Sequence, residues 1–259
     1  MTLNAALIQQ HPKLRDKKAN LKTLEDTIAR NEADLYILPE MALTGYSLFD
    51  EYSVLSEEIP GPSTGKVQEL AEQNDCAIFM GMAEKDPERK VIYNSAAFIT
   101  PKDMWVYRKM YLAHFGPFKE KLYFAPGQAP VLASYKGFNI GLTICYDLFF
   151  PELLKDLAIE GADILLNISA SPTFSRHFFE TLLPARAIEN TCYMLYTNLV
   201  GTELNLVFWG GATGIGPRGN VLGQGPYYNE AVTKVELDHS EIEVARRFRP
   251  TLRNTLERQ

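Results

Sequence analysis

The sequence predicts a layered α/β fold with a mixed β-sheet. Three observations carry this prediction. Apolar runs of strand character alternate with segments of helical period along much of the chain. Several neighbouring strand runs are joined by turns too short for a crossover, so they must pair antiparallel. Hydrophobic residues make up 46% of the 259 and aromatic residues 11%, which can supply a large core. No Ser/Gly-rich linker, low-complexity stretch or long charge run marks a boundary, so residues 1–259 read as a single domain.

The elements follow in order. Leu3 to Gln9 reads as a strand. Asp16 to Asn31 reads as a helix with Leu21, Leu24 and Ile28 on one face. Leu35 to Leu38 is a buried strand that ends at Pro39-Glu40. A turn at Pro60-Gly61-Pro62-Ser63 leads into a helix over Gly65 to Gln73. Ala77 to Glu84, Val91 to Thr100 and Met104 to Lys109 are strands separated by short turns. After an irregular stretch, Val131 to Tyr135 and Phe138 to Ile144 form a hairpin through Lys136-Gly137. Glu152 to Glu160 is a helix, Ile164 to Ile168 a strand, and Ser175 to Asn190 a helix that Pro184 should kink. Cys192 to Leu199 is a strand. Three more strands, near Ala212 to Gly216, Val221 to Gln224 and Ala231 to Leu237, precede a short helix over His239 to Arg247.

Composition excludes several classes. A net charge of −6 argues against a nucleic-acid partner. No apolar run approaches the roughly 20 residues of a membrane helix. Met1 to Gln10 lacks the basic region and cleavage site of a signal peptide, so a cytoplasmic location is expected. Three cysteines, Cys76, Cys145 and Cys192, are widely spaced and form no Cys-x-x-Cys pair. Neither a disulfide framework nor a metal site is implied.

Cys145 stands out because a strand-like run ends on it and a Pro-led helix follows at Pro151. A nucleophile suits such a strand-to-helix turn, where backbone N–H groups can stabilise negative charge. A thiol is equally at home in a core. Glu40 ends a buried strand, where open-sheet enzymes place chemistry, or it caps a turn. Lys109 ends another strand, and Arg108 beside it must face the opposite way. An exposed cation is the plain alternative for both. Of the four histidines, His114 and His177 are the ones that could pair with the thiol. Gly214-Ile215-Gly216-Pro217-Arg218-Gly219 matches GxGxxG, but Pro217 and the following residues read as a hairpin turn rather than a dinucleotide fingerprint.

Taken together, Glu40, Lys109 and Cys145 resemble the nitrilase superfamily of carbon–nitrogen hydrolases. Leu38-Pro39-Glu40, Tyr107-Arg108-Lys109, and Ile144-Cys145-Tyr146-Asp147 with Phe150-Pro151-Glu152 are similar to three ordered blocks of that family. Glu120 before Phe124-Ala125-Pro126-Gly127 resembles the site of its additional glutamate, and Ala185 to Asn190 a common helix. The likeness runs from Leu3 to about Leu237. Tyr111 stands where many members carry His, and the segment Ala113 to Lys119 is short and unusual.

The resemblance implies a four-layer α-β-β-α sandwich with two mixed sheets. It implies a Glu40–Lys109–Cys145 triad assisted by Glu120, with Tyr146, Phe149, Ser169 and Tyr46 at the oxyanion and substrate side. Glu40 would take the thiol proton, although a carboxylate of pKa about 4.3 is a weak base for a thiol of about 8.5. Burial should raise the first and the Lys109 ammonium lower the second. Lys109 and the backbone N–H of Tyr146 would hold the oxyanion. The implied activity is an amidase forming a Cys thioester on a small amide, with no metal or organic cofactor. N-carbamoyl (ureido) compounds and nitriles are alternative substrates, and an inactive scaffold or binding subunit is the alternative of a different class. Tyr46, Phe49, Phe115, Phe118, Phe149 and Phe174 give either an apolar wall at the site or ordinary core packing. A homodimer is expected, with the Arg-rich tail over residues 246–259 (Arg246, Arg247, Arg249, Arg253, Arg258) in its contacts.

Overall fold

Alternation along the first strand decides the layering. In β1 (Thr2–Gln9), Leu3, Ala5 and Leu7 face one core, while Ala6 and Ile8 face another. A strand buried on both faces needs a layer on each side. The computed structural model describes residues 1–257 and supplies those layers.

The first sheet takes β1, β2 (Leu35–Ile37), β3 (Ala77–Asp86), β4 (Val91–Ile99) and β5 (Met104–Arg108). The second takes β6 (Leu132–Tyr135), β7 (Phe138–Ile144), β8 (Ile164–Ser169) and β9 (Tyr193–Asn198). A separate hairpin, β10 (Val200–Glu203) with β11 (Leu206–Trp209), interrupts the order. Strands β12 (Thr213–Ile215) and β13 (Val221–Gln224) complete the second sheet, and β14 (Ala231–Asp238) returns to the first. Each main sheet has six strands, in the orders β14-β1-β2-β3-β4-β5 and β13-β12-β9-β8-β7-β6. Both are mixed. β1, β2 and β3 run parallel, as do β7, β8 and β9, and the remaining pairs are antiparallel.

The helices are α1 (Lys17–Arg30), α2 (Tyr52–Leu55), α3 (Pro62–Asn74), α4 (Glu120–Tyr123), α5 (Pro151–Ile159), α6 (Arg176–Asn190), α7 (His239–Phe248) and α8 (Thr251–Leu256). Leu24 and Ile28 of α1 and Val67 and Ala71 of α3 pack on the outer face of the first sheet. Leu154 and Leu157 of α5, with Phe179 and Leu183 of α6, close the second. The result is the α-β-β-α sandwich. Asp16 caps α1 by accepting a hydrogen bond from the Ala19 N–H at 3.0 Å. The α6 helix continues through Pro184 as one element.

A 3-10 turn, Cys145–Phe149, bridges β7 and α5, and the helix opens at Pro151 as the sequence suggests. The β10–β11 hairpin was not anticipated, because its apolar runs are short. The described part of the C-terminal segment packs against its own chain. Arg246 donates to the Ala162 carbonyl at 2.7 Å and pairs with Asp163 at 3.3 Å, while Leu252 of α8 packs on the main core. Arg258 and Gln259 lie outside the described residues. The GxGxxG match forms the β12–β13 hairpin turn, as its Pro suggests. No helix among the described residues is long and apolar enough to cross a membrane.

Candidate active site

Glu40, Lys109, Glu120 and Cys145 meet where the ends of strands from both sheets come together. Glu40 follows β2 at a turn whose next residue, Met41, has φ of 54°. Gly81 of β3 lies beneath this turn. A Cβ there would come within 2.7 Å of the Glu40 Cα, so the close approach requires glycine. Asn20 of α1 secures the same loop by donating to the Leu43 carbonyl at 2.9 Å.

Lys109 directly follows β5. Its N–H donates to the Asn94 carbonyl and its carbonyl accepts from Gly127, both at 2.8 Å. The ammonium is fully buried and bonds the Oε1 atoms of Glu40 and Glu120, each at 2.8 Å. Arg108 points away, over the Tyr93 ring and towards Glu84 and Asp86, as strand alternation requires.

Glu40 Oε1 also accepts from Asn94 Nδ2 at 2.6 Å, and its Oε2 accepts from the Ala170 N–H at 2.7 Å. Glu120 opens α4. Its Oε1 accepts from the Tyr46 hydroxyl at 2.8 Å and its Oε2 from the Ala113 N–H at 2.9 Å. Tyr46 is held in turn by Glu203 of β10, which accepts from the Tyr46 N–H at 3.0 Å and the Ser47 N–H at 2.7 Å.

Cys145 directly follows β7 with φ of 48°, a left-handed conformation that costs a residue with a side chain roughly 1–3 kcal/mol. Asp147 pins this elbow. Its Oδ2 accepts from the Ile144 N–H at 2.9 Å and the Tyr107 hydroxyl at 2.8 Å, and its Oδ1 from the Tyr111 N–H at 2.9 Å. Tyr111 stacks flat on Phe150.

The electrostatics are those of a dry cluster. Burial pushes the Cys145 thiol well above its ordinary range, Glu40 adds to this, and Lys109 opposes it without prevailing. Lys109 lowers the thiol pKa as expected, but desolvation is the larger effect and sets the net direction. Burial also raises Glu120 against the pull of Lys109 and raises Asp147 to about 6. Burial alone would lower Lys109, but the charges of Glu120 and Glu40 outweigh it and hold the ammonium charged.

A cavity of 280 Å³ opens onto Cys145. Tyr146 and Phe149 line it, as do Phe115, Phe118 and Phe174. Ser169 is buried beside the thiol rather than in the cavity wall, and its hydroxyl donates to Asn167 Oδ1 at 3.0 Å. Tyr46 and Phe49 lie beyond Phe118, in a second cavity that Glu120 also borders. His114 and His177 are exposed, and no hydrogen bond joins either ring to Cys145 among the described residues. Cys76 and Cys192 are buried in the cores. The described residues contain no cluster of His, Cys, Asp and Glu able to hold a metal ion.

Sequence reasoning missed Asn94, whose signal was a polar residue inside the apolar run Val91–Ile99. It also missed the clamping of the elbow by Asp147, and Phe178 and Phe179 of the cavity wall, because an aromatic pair on a helix reads equally well as core.

The sequence model of the carbon-nitrogen hydrolase family matches residues 4–247. The chain belongs to that family. A nitrilase of Pyrococcus abyssi is 31% identical over 244 residues, covering 91% of this chain and 90% of that protein. Among solved structures, a CN-hydrolase superfamily protein of Xanthomonas campestris, with an arsenic adduct in its active site, superposes with a TM-score of 0.90. It is 25% identical and covers 98% of this chain and 97% of its own. A variant of the amidase from Nesterenkonia sp. AN1, carrying acrylamide added to its active-site cysteine, is 28% identical with a TM-score of 0.81, covering 93% and 95%. This carbon–nitrogen hydrolase therefore shares the fold of enzymes with a cysteine in the active site.

Proposed function

We propose that this hydrolase cleaves small amides to carboxylate and ammonia, with Cys145 as nucleophile, Glu40 as proton carrier and Lys109 as oxyanion partner. The observation that carries the proposal is the buried ammonium of Lys109, held at 2.8 Å by both Glu40 and Glu120 beside a thiol on a strained turn. The likeness to an amidase with a modified active-site cysteine supports it.

The hydrogen-bond inventory assigns the roles. A carboxylate offers about four lone-pair sites. Glu40 spends two on Oε1 and one on Oε2, which leaves an Oε2 site for the thiol proton. Cys145 rests as a thiol because burial disfavours the thiolate. Its proton therefore passes to Glu40 as Sγ attacks the amide carbon, rather than beforehand. The oxyanion forms at the third N–H of Lys109, two being engaged by carboxylates, and at the backbone N–H of Tyr146. Each such donor contributes about 3–4 kcal/mol of barrier lowering in comparable sites. Collapse expels the nitrogen, which takes the proton from Glu40. Water then attacks the thioester with Glu40 again as base, releasing the acid and restoring the thiol. Glu120, tied to Lys109, Tyr46 and Ala113, keeps the ammonium in place. A nitrile reading shares the same nucleophile and has the Pyrococcus relative in its favour.

Cys145→Ala is expected to abolish amide turnover, by at least about a thousandfold. Acrylamide should add one equivalent of mass to Cys145 in Glu40→Gln protein, where hydrolysis no longer competes. Labelling that falls on Cys76 or Cys192 instead, or an active Cys145→Ala protein, sinks the assignment. A panel of short amides, N-carbamoyl compounds and nitriles fixes the bond cleaved.

A further inference from the structure

We infer that the cavity beside Cys145 accepts an uncharged, aromatic acyl group, making arylalkyl amides of the phenylacetamide type the preferred substrates. The inference rests on the hydrolase reading above and adds the substrate class.

Six phenylalanines line the cavity: Phe115, Phe118, Phe149, Phe174, Phe178 and Phe179. They come from separate stretches, namely the loop before α4, the turn after the thiol, the turn before α6 and α6 itself. Their rings meet edge to face or tilted. Phe115 and Phe118 are 5.3 Å apart at 68°, and Phe149 and Phe179 are 5.6 Å apart at 78°. A wall of this kind offers both ring faces and ring edges, which is the preferred surrounding of a further aromatic ring. None of the described residues lining the cavity is charged. The Ser171 hydroxyl in the wall already faces the indole N–H of Trp209 at 3.4 Å.

An N-carbamoyl amino acid or a carboxylate-bearing amide brings a negative charge with it. Such a charge would lose its water here and find no cation, a heavy penalty. Size agrees as well. At 280 Å³ the cavity lies just under the range of about 300–1,000 Å³ that drug-sized ligands occupy, which suits one ring on a short chain. Its mouth adds a second indication. Phe115, Phe174 and Phe178 are 47%, 54% and 47% exposed, an apolar rim that a bound aromatic group would cover.

The test separates binding from turnover. Cys145→Ala protein, titrated calorimetrically, should bind phenylacetamide at least about tenfold more tightly than propionamide, by the usual worth of apolar groups in such pockets. Succinamate and N-carbamoylglycine should bind more weakly still. Equal or tighter binding of either anion overturns the inference. Failure of the wild type to hydrolyse any amide would remove the hydrolase reading, while this ranking would still decide the pocket. Phe174→Arg, at an exposed rim position, should narrow the gap between succinamate and phenylacetamide at least about tenfold by supplying the missing cation. An unchanged gap overturns the placement of the acyl group against Phe174.

Discussion

Cys145 separates two regions built on opposite principles. On one side lie Glu40, Lys109, Glu120 and Asp147, buried and set on strand ends or tied to them. Each carboxylate oxygen among them accepts at least one hydrogen bond. On the other side lies the phenylalanine cavity, carried mostly by turns and a helix end, with half-exposed rings and no charge. Directional bonds in a dry site fix positions to fractions of an ångström, and unmaking one is costly. Ring packing has much looser orientational preferences and tolerates exchange. The reaction and the selectivity of this enzyme can therefore change independently, and substitutions on the two sides should differ sharply in their cost.

The largest effect is expected at Lys109. Lys109→Met removes the cation that bridges Glu40 and Glu120 and leaves two buried carboxylates facing each other. Breaking a buried pair in this way costs about 3–5 kcal/mol, to be read from urea unfolding. Turnover should also fall about a hundredfold to a thousandfold through loss of an oxyanion donor, mainly in kcat. Adding Glu120→Gln to Lys109→Met should restore part of the stability but not the turnover. A single variant as stable and active as wild type would refute the ion-cluster account.

Asp147 is the next test, and it carries a pH signature. Its pKa is raised to about 6 by burial. Between its unfolded value, near 3.8, and about 6, the native state holds a proton that the unfolded state has released. Its contribution to stability is therefore full below about pH 4 and is lost as the pH rises through 6, by up to about 3 kcal/mol. Asp147→Asn cannot titrate, so the stability difference between wild type and variant should shrink over pH 4–6 and stay flat above 7. At pH 7 the variant should still lose about 1–3 kcal/mol, because an amide N–H₂ must then face the N–H of Tyr111 or the donors of Ile144 and Tyr107. A pH-independent difference would show that the elbow is not clamped by an acid of this kind.

The same contrast explains what could be read in the sequence. Lys109 and Cys145 directly follow strands and Glu40 stands just beyond one, and strand ends are legible because apolar periodicity stops there. Most strands and the longer helices were legible for the same reason, whereas the division into two sheets came only with the family resemblance. Asn94 was not, because its value lies in a bond to Glu40 made across 54 residues of sequence, and nothing local announces it. The net direction of the Cys145 pKa was not legible, since desolvation depends on how completely the chain closes over the thiol. The aromatic candidates divided in a way that no pattern could show. Phe115, Phe118, Phe149 and Phe174 line the cavity at the thiol, whereas Tyr46 and Phe49 stand behind Phe118. Which ring faces which cavity is decided by the loop Ala113 to Lys119, whose path follows from tertiary contacts such as the bond from Ala113 to Glu120.

The smallest effect should come from the rim. Phe178 lies on the first turn of α6 with about half of its surface in water, and its ring centroid is 3.7 Å from that of the exposed His177 and 6.2 Å from that of Phe149. Phe178→Ser therefore leaves no closed cavity and no unpaired buried group. Helix propensity is nearly the same for the two residues. The unfolding free energy should move by no more than about 0.5 kcal/mol, against several for Lys109→Met. Binding of an aromatic amide should nevertheless weaken, because the lost ring is part of the surface that such a ligand covers. Loss of stability comparable to that at Asp147 would mean that the rim is a structural core after all, and that the separation between reaction and selectivity drawn at Cys145 fails.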